Sequence, residues 1–284
     1  MSGIASVGQN LPLEVLRATG RFAGPLAWDV DRAFPRASQW LESKFPLWAF
    51  SILEDWSAGS LDHLSHVVFS RGDDSAQRLY YYVCELQRQG LLTGPEPLIF
   101  DLAQIPRESS LARTELAVTN LAERLGMKES ELDGAGEVAA SPPSPSRRVC
   151  LLAGTPPPDR RVHDMVARAG WEASGRTLSD VWSDIGVPGT TFAAIARRVH
   201  EAQAGPRNFR DRAAEIASRA EQANASAALL WYAEEDEAEI WHLPEQRAAL
   251  ADAGIPTLVL TRRDWRSGDG LADEIAAFLA GIGS

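Results

Sequence analysis

The chain has 284 residues, of which 45% are hydrophobic and 24% are charged, and 28 Lys and Arg against 39 Asp and Glu give a net charge of −11. This composition is typical of a globular protein and excludes collagen and small disulfide scaffolds. The negative charge argues against nucleic acids and anionic membranes as partners. The first ten residues do not resemble a signal peptide and no long apolar span occurs, so we expect a cytoplasmic protein.

A stretch of Ser, Pro and small residues divides the sequence into two halves. Residues 141–146 read SPPSPS and follow a run of small residues that begins at Gly134. Such a composition favours extended backbone over packed structure. We therefore predict an N-terminal domain over residues 1–133, a linker over residues 134–147 and a C-terminal domain over residues 148–284.

In the first half, helical segments alternate with short apolar runs. Leu79, Val83 and Leu86 lie at helical spacing, and Gly90 ends that helix. The predicted elements, in order, are a strand over 66–70, a helix from Asp74 or Ser75 to 89, a strand over 97–102 and a helix over 109–125.

The second half repeats this alternation. Its predicted elements are a strand over residues 148–155, helices over 159–169, 191–202 and 209–222, a strand over 227–232, a helix over 243–253, a strand over 255–261 and a helix over 271–279. Continuous apolar runs between helices are typical of buried parallel strands. We therefore predict α/β architecture, with two Rossmann- or flavodoxin-like domains whose parallel sheets are flanked by helices.

The common catalytic and metal-binding motifs are absent from the sequence. It contains no Walker loop, G-x-G-x-x-G, G-x-S-x-G or H-E-x-x-H. The nearest approach to a phosphate loop ends at Thr155, but the prolines at 156–158 remove the N–H groups that a phosphate needs. The five histidines have no metal spacing, and we expect Cys84 and Cys150 to be packed thiols.

The loops after two predicted strands are acidic. Asp73 and Asp74 follow the strand over residues 66–70, and residues 234–239 read EEDEAE after the strand over 227–232. Ligands of open α/β sheets bind outside the carboxyl ends of the strands, where such carboxylates could act as acids, bases or cation ligands. We name Asp74 and Glu235 as candidate catalytic residues. Helix caps and solvated loop charges are the alternative explanation.

Taken in order, several segments resemble the catalytic subunits of 2-hydroxyacyl-CoA dehydratases and benzoyl-CoA reductases. This resemblance covers nearly the whole chain and rests on the order and spacing of the segments. Residues 11–20 (LPLEVLRATG) resemble the opening helix of that family, which leads to an early strand, here within residues 25–30. Residues 67–80 resemble its strand, Cys-Asp turn and following helix, and residues 148–155 with 163–170 resemble a strand and a helix end. Residues 253–260 (AGIPTLVL) resemble a strand, and residues 275–279 resemble the closing helix.

The resemblance implies two α/β domains around a [4Fe–4S] cluster held by three cysteines, with single electrons supplied by an ATP-driven activator. This chain departs from that pattern. The positions that resemble the family's cysteines carry Asp73 or Asp74, Glu234 or Glu235, and the segment FPLWA at 45–49. Thiolate ligation of a cluster needs Cys at those places, so we expect no cofactor in this chain and a [4Fe–4S] cluster in a partner subunit.

These implications combine into one expected function and two alternatives. The expected function is a cluster-less partner of a cluster-bearing paralogous subunit, served by an ATP-dependent activator, that helps to form an acyl-CoA site. Ser75, Trp48 and Thr155 are candidates for contacts with that ligand, and no residue is assigned to a metal. The alternatives are a stand-alone binding or assembly protein on the same fold, and a cluster-free enzyme that uses carboxylates with or without a metal.

Overall fold

The architecture is α/β, with two four-stranded sheets in which every strand pair is parallel. A computed structural model describes residues 2–132, 148–202 and 209–282. The predicted fold class is therefore confirmed, whereas the predicted linker over residues 134–147 lies outside the described residues. Among the helices that the structure describes, none combines the length and apolarity needed to cross a membrane.

Eight strands and eleven helices are described. The strands are Gly3–Val7 (β1), Phe22–Pro25 (β2), Leu64–Ser70 (β3), Glu96–Phe100 (β4), Val149–Gly154 (β5), Glu172–Ser174 (β6), Ala225–Ala233 (β7) and Thr257–Arg263 (β8). The helices are Leu13–Ala18 (α1), Leu47–Ser57 (α2), Asp74–Arg88 (α3), Glu108–Arg124 (α4), Arg161–Arg168 (α5), Leu178–Trp182 (α6), Phe192–Ala202 (α7), Arg212–Gln222 (α8), Glu237–Ile240 (α9), Leu243–Asp252 (α10) and Leu271–Gly281 (α11).

The two sheets have the same topology. Their strand orders are β2-β1-β3-β4 and β6-β5-β7-β8. In both sheets the second strand in sequence lies on one side of the first, and the third and fourth lie on the other side. The strand order therefore reverses between β1 and β3 and again between β5 and β7. These two reversals are the topological switch points, where open α/β sheets form a crevice for ligands.

Some elements carry little sequence signal. The short strands β1 and β6 and the helices α2 and α6 lie where no element was predicted, and β2 ends where the predicted strand over residues 25–30 begins. The sequence of β1, GIASV, is short and half composed of small residues. Its position between β2 and β3, rather than its own propensity, makes it a strand.

The chain divides into two compact units that differ from the predicted domains in one respect. The first unit comprises Met1–Ala140 and Trp182–Phe209, and the second comprises Ser141–Val181 and Arg210–Ser284. Sequence analysis placed α7 in the C-terminal domain, but the helix lies in the first unit. Periodicity predicts that α7 has an apolar face, but it does not predict which surface covers that face.

The apolar face of α7 completes the core of the first unit. Ile195, Ala196 and Val199 are fully buried, and they belong to one cluster with Val118 and Ala122 of α4. α7 therefore packs on α4 and extends the apolar cluster of the first unit.

Polar contacts also fix the position of α7. Arg198 forms an ion pair with Glu14 of α1, with 2.7 Å between Nη2 and Oε2 and 3.0 Å between Nε and Oε1. The side chains of Arg198 and Glu14 are only 17% and 7% exposed, so this pair is shielded from solvent. The amide of Asn10 donates to the carbonyl oxygen of Val199 at 2.9 Å. Because a buried ion pair is costly to break, these contacts specify where α7 lies.

We expect Ile195→Ala to destabilise the first unit by about 2–5 kcal/mol, because it opens a cavity in a fully buried cluster. Val187→Ala is the control, since the Val187 side chain is 80% exposed, and it should change the free energy of unfolding by less than about 0.5 kcal/mol. Chemical denaturation of the whole chain measures both. Equal and small effects of the two substitutions would contradict this role for α7.

Candidate functional site

A glycine in a left-handed conformation lies at each switch point. Gly8 directly follows β1 with a φ of +94°, and Gly154 ends β5 with a φ of +93°. A Cβ on Gly8 would lie 2.9 Å from the Cβ of Ser70, and a Cβ on Gly154 would lie 2.2 Å from the carbonyl oxygen of Trp231. Only glycine fits such a close approach of two strand ends. At both switch points, therefore, the residue at the end of the strand has no side chain.

In the first unit, Asp73 to Ser75 lie at the N-terminus of α3, next to the switch point. Asp73 is the N-cap residue, and its carboxylate accepts a hydrogen bond from the backbone N–H of Ala76 at 2.9 Å. The cap is thus one residue earlier than the predicted Asp74 or Ser75. Asp74 and Ser75 are the first two helical residues, and both are half-buried. The partial positive charge of a helix N-terminus favours these carboxylates.

Asn10 is a further polar residue in the loop after β1. It has a φ of +60°, which is unusual for a residue with a side chain. Its amide nitrogen is used by the bond to Val199, but its Oδ1 atom is buried and has no hydrogen-bond partner within the described part of the chain. An acceptor in this situation needs a donor from water or from a ligand. The described polar groups next to the switch point of the first unit are therefore the carboxylates of Asp73 and Asp74 and the amide of Asn10, whose oxygen is buried.

In the second unit, Thr155 connects the ends of β5 and β7. Its backbone N–H donates to the carbonyl oxygen of Trp231 at 2.8 Å, and its hydroxyl donates to Oδ2 of Asp236 at 2.6 Å. The same hydroxyl accepts from the backbone N–H of Ala233 at 3.2 Å. Thr155 is 6% exposed and therefore acts as a buried clamp that orients the acidic loop after β7.

Glu235 lies in this loop and is bound by an indole from the next strand end. Nε1 of Trp265 donates to Oε2 of Glu235 at 2.8 Å, and Trp265 itself packs edge-to-face on Trp231 with 5.8 Å between ring centroids. Burial raises the pKa of Glu235, and the neighbouring charges of Glu234 and Asp236 act in the same direction. The bond from Trp265 only partly opposes them.

This environment gives Glu235 the properties of an acid. A carboxyl group with a raised pKa keeps its proton closer to neutral pH and can donate it to a bound ligand. The indole bond uses one carboxyl oxygen and fixes the orientation of the group. Asp74, by contrast, lies at the N-terminus of α3, where negative charge stabilises the helix. The two candidate residues thus differ in chemical character, and they belong to different units.

Trp48 lies in the interior of the first unit rather than at a strand end. It is the second residue of α2 and is 3% exposed. Its ring packs edge-to-face on Trp182 with 4.9 Å between centroids, and Trp182 packs in the same way on Trp28 at 4.7 Å. The described contacts of Trp48 are therefore those of an aromatic core.

The cysteines do not lie where a thiolate-ligated cluster would need them. Cys150 is fully buried inside β5, and burial raises its pKa to about 12. Cys84 lies in the third turn of α3, and burial raises its pKa too. Neither lies at the carboxyl end of a strand. Within residues 2–132, 148–202 and 209–282, no three His, Cys, Asp or Glu side chains form a group that could hold a metal ion. The residues present do not fit a [4Fe–4S] cluster.

Comparison with known proteins leaves the resemblance inferred from sequence as a prediction. No protein-family model matches this chain, and no curated protein sequence matches it. The structure adds residues that sequence analysis did not single out, namely Asn10, Gly154, Asp236 and Trp265. All four are in or beside loops that follow strands, so a systematic search of those loops would have found them.

We expect Glu235→Gln to stabilise the protein more at neutral pH than in acid. The pKa of Glu235 is raised in the folded state, so the folded state resists ionisation of the residue. The free-energy cost of ionising Glu235 in the folded state is absent below the ordinary pKa of glutamate, about 4.3. This cost grows as the pH rises above that value. Gln stays neutral and can still accept the bond from Trp265. The difference in Tm between variant and wild type should therefore be larger at about pH 7 than at about pH 4.

Glu237→Gln is the control for this prediction, because Glu237 is an exposed carboxylate two residues further along, at the start of α9. A Glu235→Gln difference in Tm that does not change with pH would contradict the proposed environment of Glu235.

Proposed function

We propose that this chain is a cluster-less partner subunit in a complex that acts on acyl-CoA thioesters, of the 2-hydroxyacyl-CoA dehydratase and benzoyl-CoA reductase kind. In this proposal a cluster-bearing paralogue carries out the radical chemistry, an ATP-dependent activator supplies electrons, and this chain helps to form the acyl-CoA site. Because both described cysteines are free thiols, we place the complex in the cytoplasm.

The observation that carries the proposal is the chemistry of the two switch points. Each lies at the carboxyl ends of parallel strands, and each has carboxylates at the positions where, by the resemblance, the family has cysteines. A chain that keeps two such switch points but lacks the ligands for a cluster needs another subunit for the redox step.

The residues of the second switch point fit a thioester ligand. A protonated Glu235 can donate a hydrogen bond to a carbonyl oxygen, whereas an ionised carboxylate cannot. Trp265 fixes the carboxyl group, and the clamp formed by Thr155 and Asp236 holds the loop in place.

The test is to produce this chain anaerobically together with a three-cysteine relative from the same genome, and to capture the complex through a tag on this chain. We expect a complex of fixed stoichiometry that contains iron and acid-labile sulfide, and a colourless protein when the chain is produced alone. Mass spectrometry and iron and sulfide assays measure both results.

The control for this experiment replaces the cysteines of the relative by serine. The complex should then still form but should lose its iron, because the cluster belongs to the relative. A chain that captures nothing, or one that retains the iron in the control, would contradict the proposal and favour a stand-alone binding protein.

The raised pKa of Glu235 also favours a second candidate function, a cluster-free enzyme that uses carboxylates. We expect Glu235→Gln to lower turnover of an acyl-CoA substrate by about 10²–10⁴-fold if Glu235 transfers a proton, without lowering Tm. Glu237→Gln should leave turnover unchanged.

Activity of the chain alone would favour this second function, and activity only in the complex would favour the first. Full activity of both Glu235→Gln and Asp74→Asn would show that these residues are structural.

A further inference from the structure

A groove of about 510 Å³ runs along the open edge of the first sheet, away from the switch point. Leu98 and Ile99 of the edge strand β4 line one side, and Leu116 and Leu121 of α4 line the other. Its volume lies in the range of about 300–1,000 Å³ that is typical of small-molecule sites. None of the residues discussed above for either switch point lines the groove.

An arginine marks each end of this groove. Arg113 of α4 bonds Asp101, which directly follows β4, and Arg124 of α4 forms an ion pair with Glu96, the first residue of β4. α4 therefore runs antiparallel to β4. The two arginines are about 16 Å apart along the helix axis, at 1.5 Å per residue. The strand itself spans about 16 Å. The groove is thus long and narrow, with polar ends and an apolar middle.

The two ends differ in charge. Asp101 accepts hydrogen bonds from both Arg113, at 2.7 Å, and Arg71, so two cations share one carboxylate. Partial burial by itself would raise the pKa of Asp101, but the bonds from Arg113 and Arg71 outweigh it and lower the pKa. At the other end, Glu96 neutralises Arg124. The Asp101 end therefore keeps an excess positive charge on a protein whose net charge is −11.

The two arginines at the Asp101 end are accessible. The side chains of Arg71 and Arg113 are 44% and 63% exposed. Each guanidinium has five N–H donors, and the two oxygens of one carboxylate cannot satisfy all of them. A second anion, such as a carboxylate or phosphate, can bind the remaining donors.

Between its two ends the groove is lined by apolar side chains together with Asn120 and Tyr80. Leu116 is 59% exposed, which makes it one of the most exposed large apolar side chains among the described residues. Burial raises the pKa of Tyr80, another lining residue, to about 12, so its phenol stays neutral. An aliphatic chain laid in the groove would cover Leu116 and gain free energy from its burial.

The backbone of β4 disfavours an added strand as the occupant. The carbonyl of Phe100 accepts from the backbone N–H of Arg71, so the backbone groups of Phe100 face β3. Because these groups alternate in direction along a strand, those of Pro97 face outward. Proline has no N–H to donate, so a neighbouring strand would lack a hydrogen bond there.

We propose that this groove binds a small amphipathic anion, namely a carboxylate or phosphate monoester on an aliphatic chain. The anionic head binds Arg113 at the end of the groove where Asp101 also holds Arg71, and the aliphatic chain extends along Leu116 and Ile99. The site belongs to the first unit alone, so it can be tested without any partner subunit.

The test is equilibrium dialysis of the whole chain against decanoate, decyl phosphate and the uncharged 1-decanol. We expect one molecule of an anion to bind per chain, at least about tenfold more tightly than 1-decanol, because charge-assisted hydrogen bonds are lost with the head group. The comparison of decanoate with decyl phosphate distinguishes the two kinds of head.

Single substitutions test the binding of the anionic head and of the aliphatic chain of the ligand separately. Arg113→Gln should weaken binding of the preferred anion at least about tenfold, and Leu116→Asp should weaken it through the apolar side. Arg88→Gln is the matched control, because Arg88 is an exposed, ion-paired arginine on α3 that does not line the groove. Retained Tm would show that each variant is folded. Lack of saturable binding, as expected if another protein covers the groove, or equal affinities of Arg113→Gln and Arg88→Gln, would overturn the proposal.

Discussion

A parallel sheet has to be covered by helices on both faces, because its strands bury side chains on both sides. In the first unit, α1 and α4 form an apolar cluster with side chains of the sheet, and a helix from much later in the chain packs on that cluster. The core around α1 and α4 includes three fully buried side chains of α7, a helix that comes after β5 and β6 in sequence. The chain therefore crosses back from the second unit to complete the first. The stability of the first unit depends on residues far away in sequence.

The shared strand order of the two sheets has a functional consequence. It produces one switch point in each unit, and the left-handed glycine at each point leaves the strand ends without side chains. Loops that follow the neighbouring strands can then project polar groups into the crevice. Parallel topology thus concentrates Thr155, Glu235 and Trp265 at one edge, although they are separated by up to 110 positions in the sequence.

The two candidate carboxylates differ in how the fold supports them. Asp73 and Asp74 lie at the N-terminus of α3, where negative charge stabilises the helix, so their presence has a structural explanation. Glu235 has no such explanation, because burial and two neighbouring acids oppose its charge. Carboxyl groups in unfavourable surroundings are characteristic of functional sites. This contrast makes Glu235 the stronger candidate for acid chemistry.

The amino-acid sequence by itself determined the elements that rest on local pattern. Continuous apolar runs predicted β3, β7 and β8, and helical spacing predicted α3 and α7, because buried strands and amphipathic helices differ in period. The acidic loop with Glu235 was predicted from its place after β7. Tertiary structure decided what depends on contacts between distant residues: the unit to which α7 belongs, the bond from Trp265 to Glu235 and the burial that raises the pKa of Glu235. Periodicity shows that a side chain must be covered, but only the folded chain determines which surface covers it.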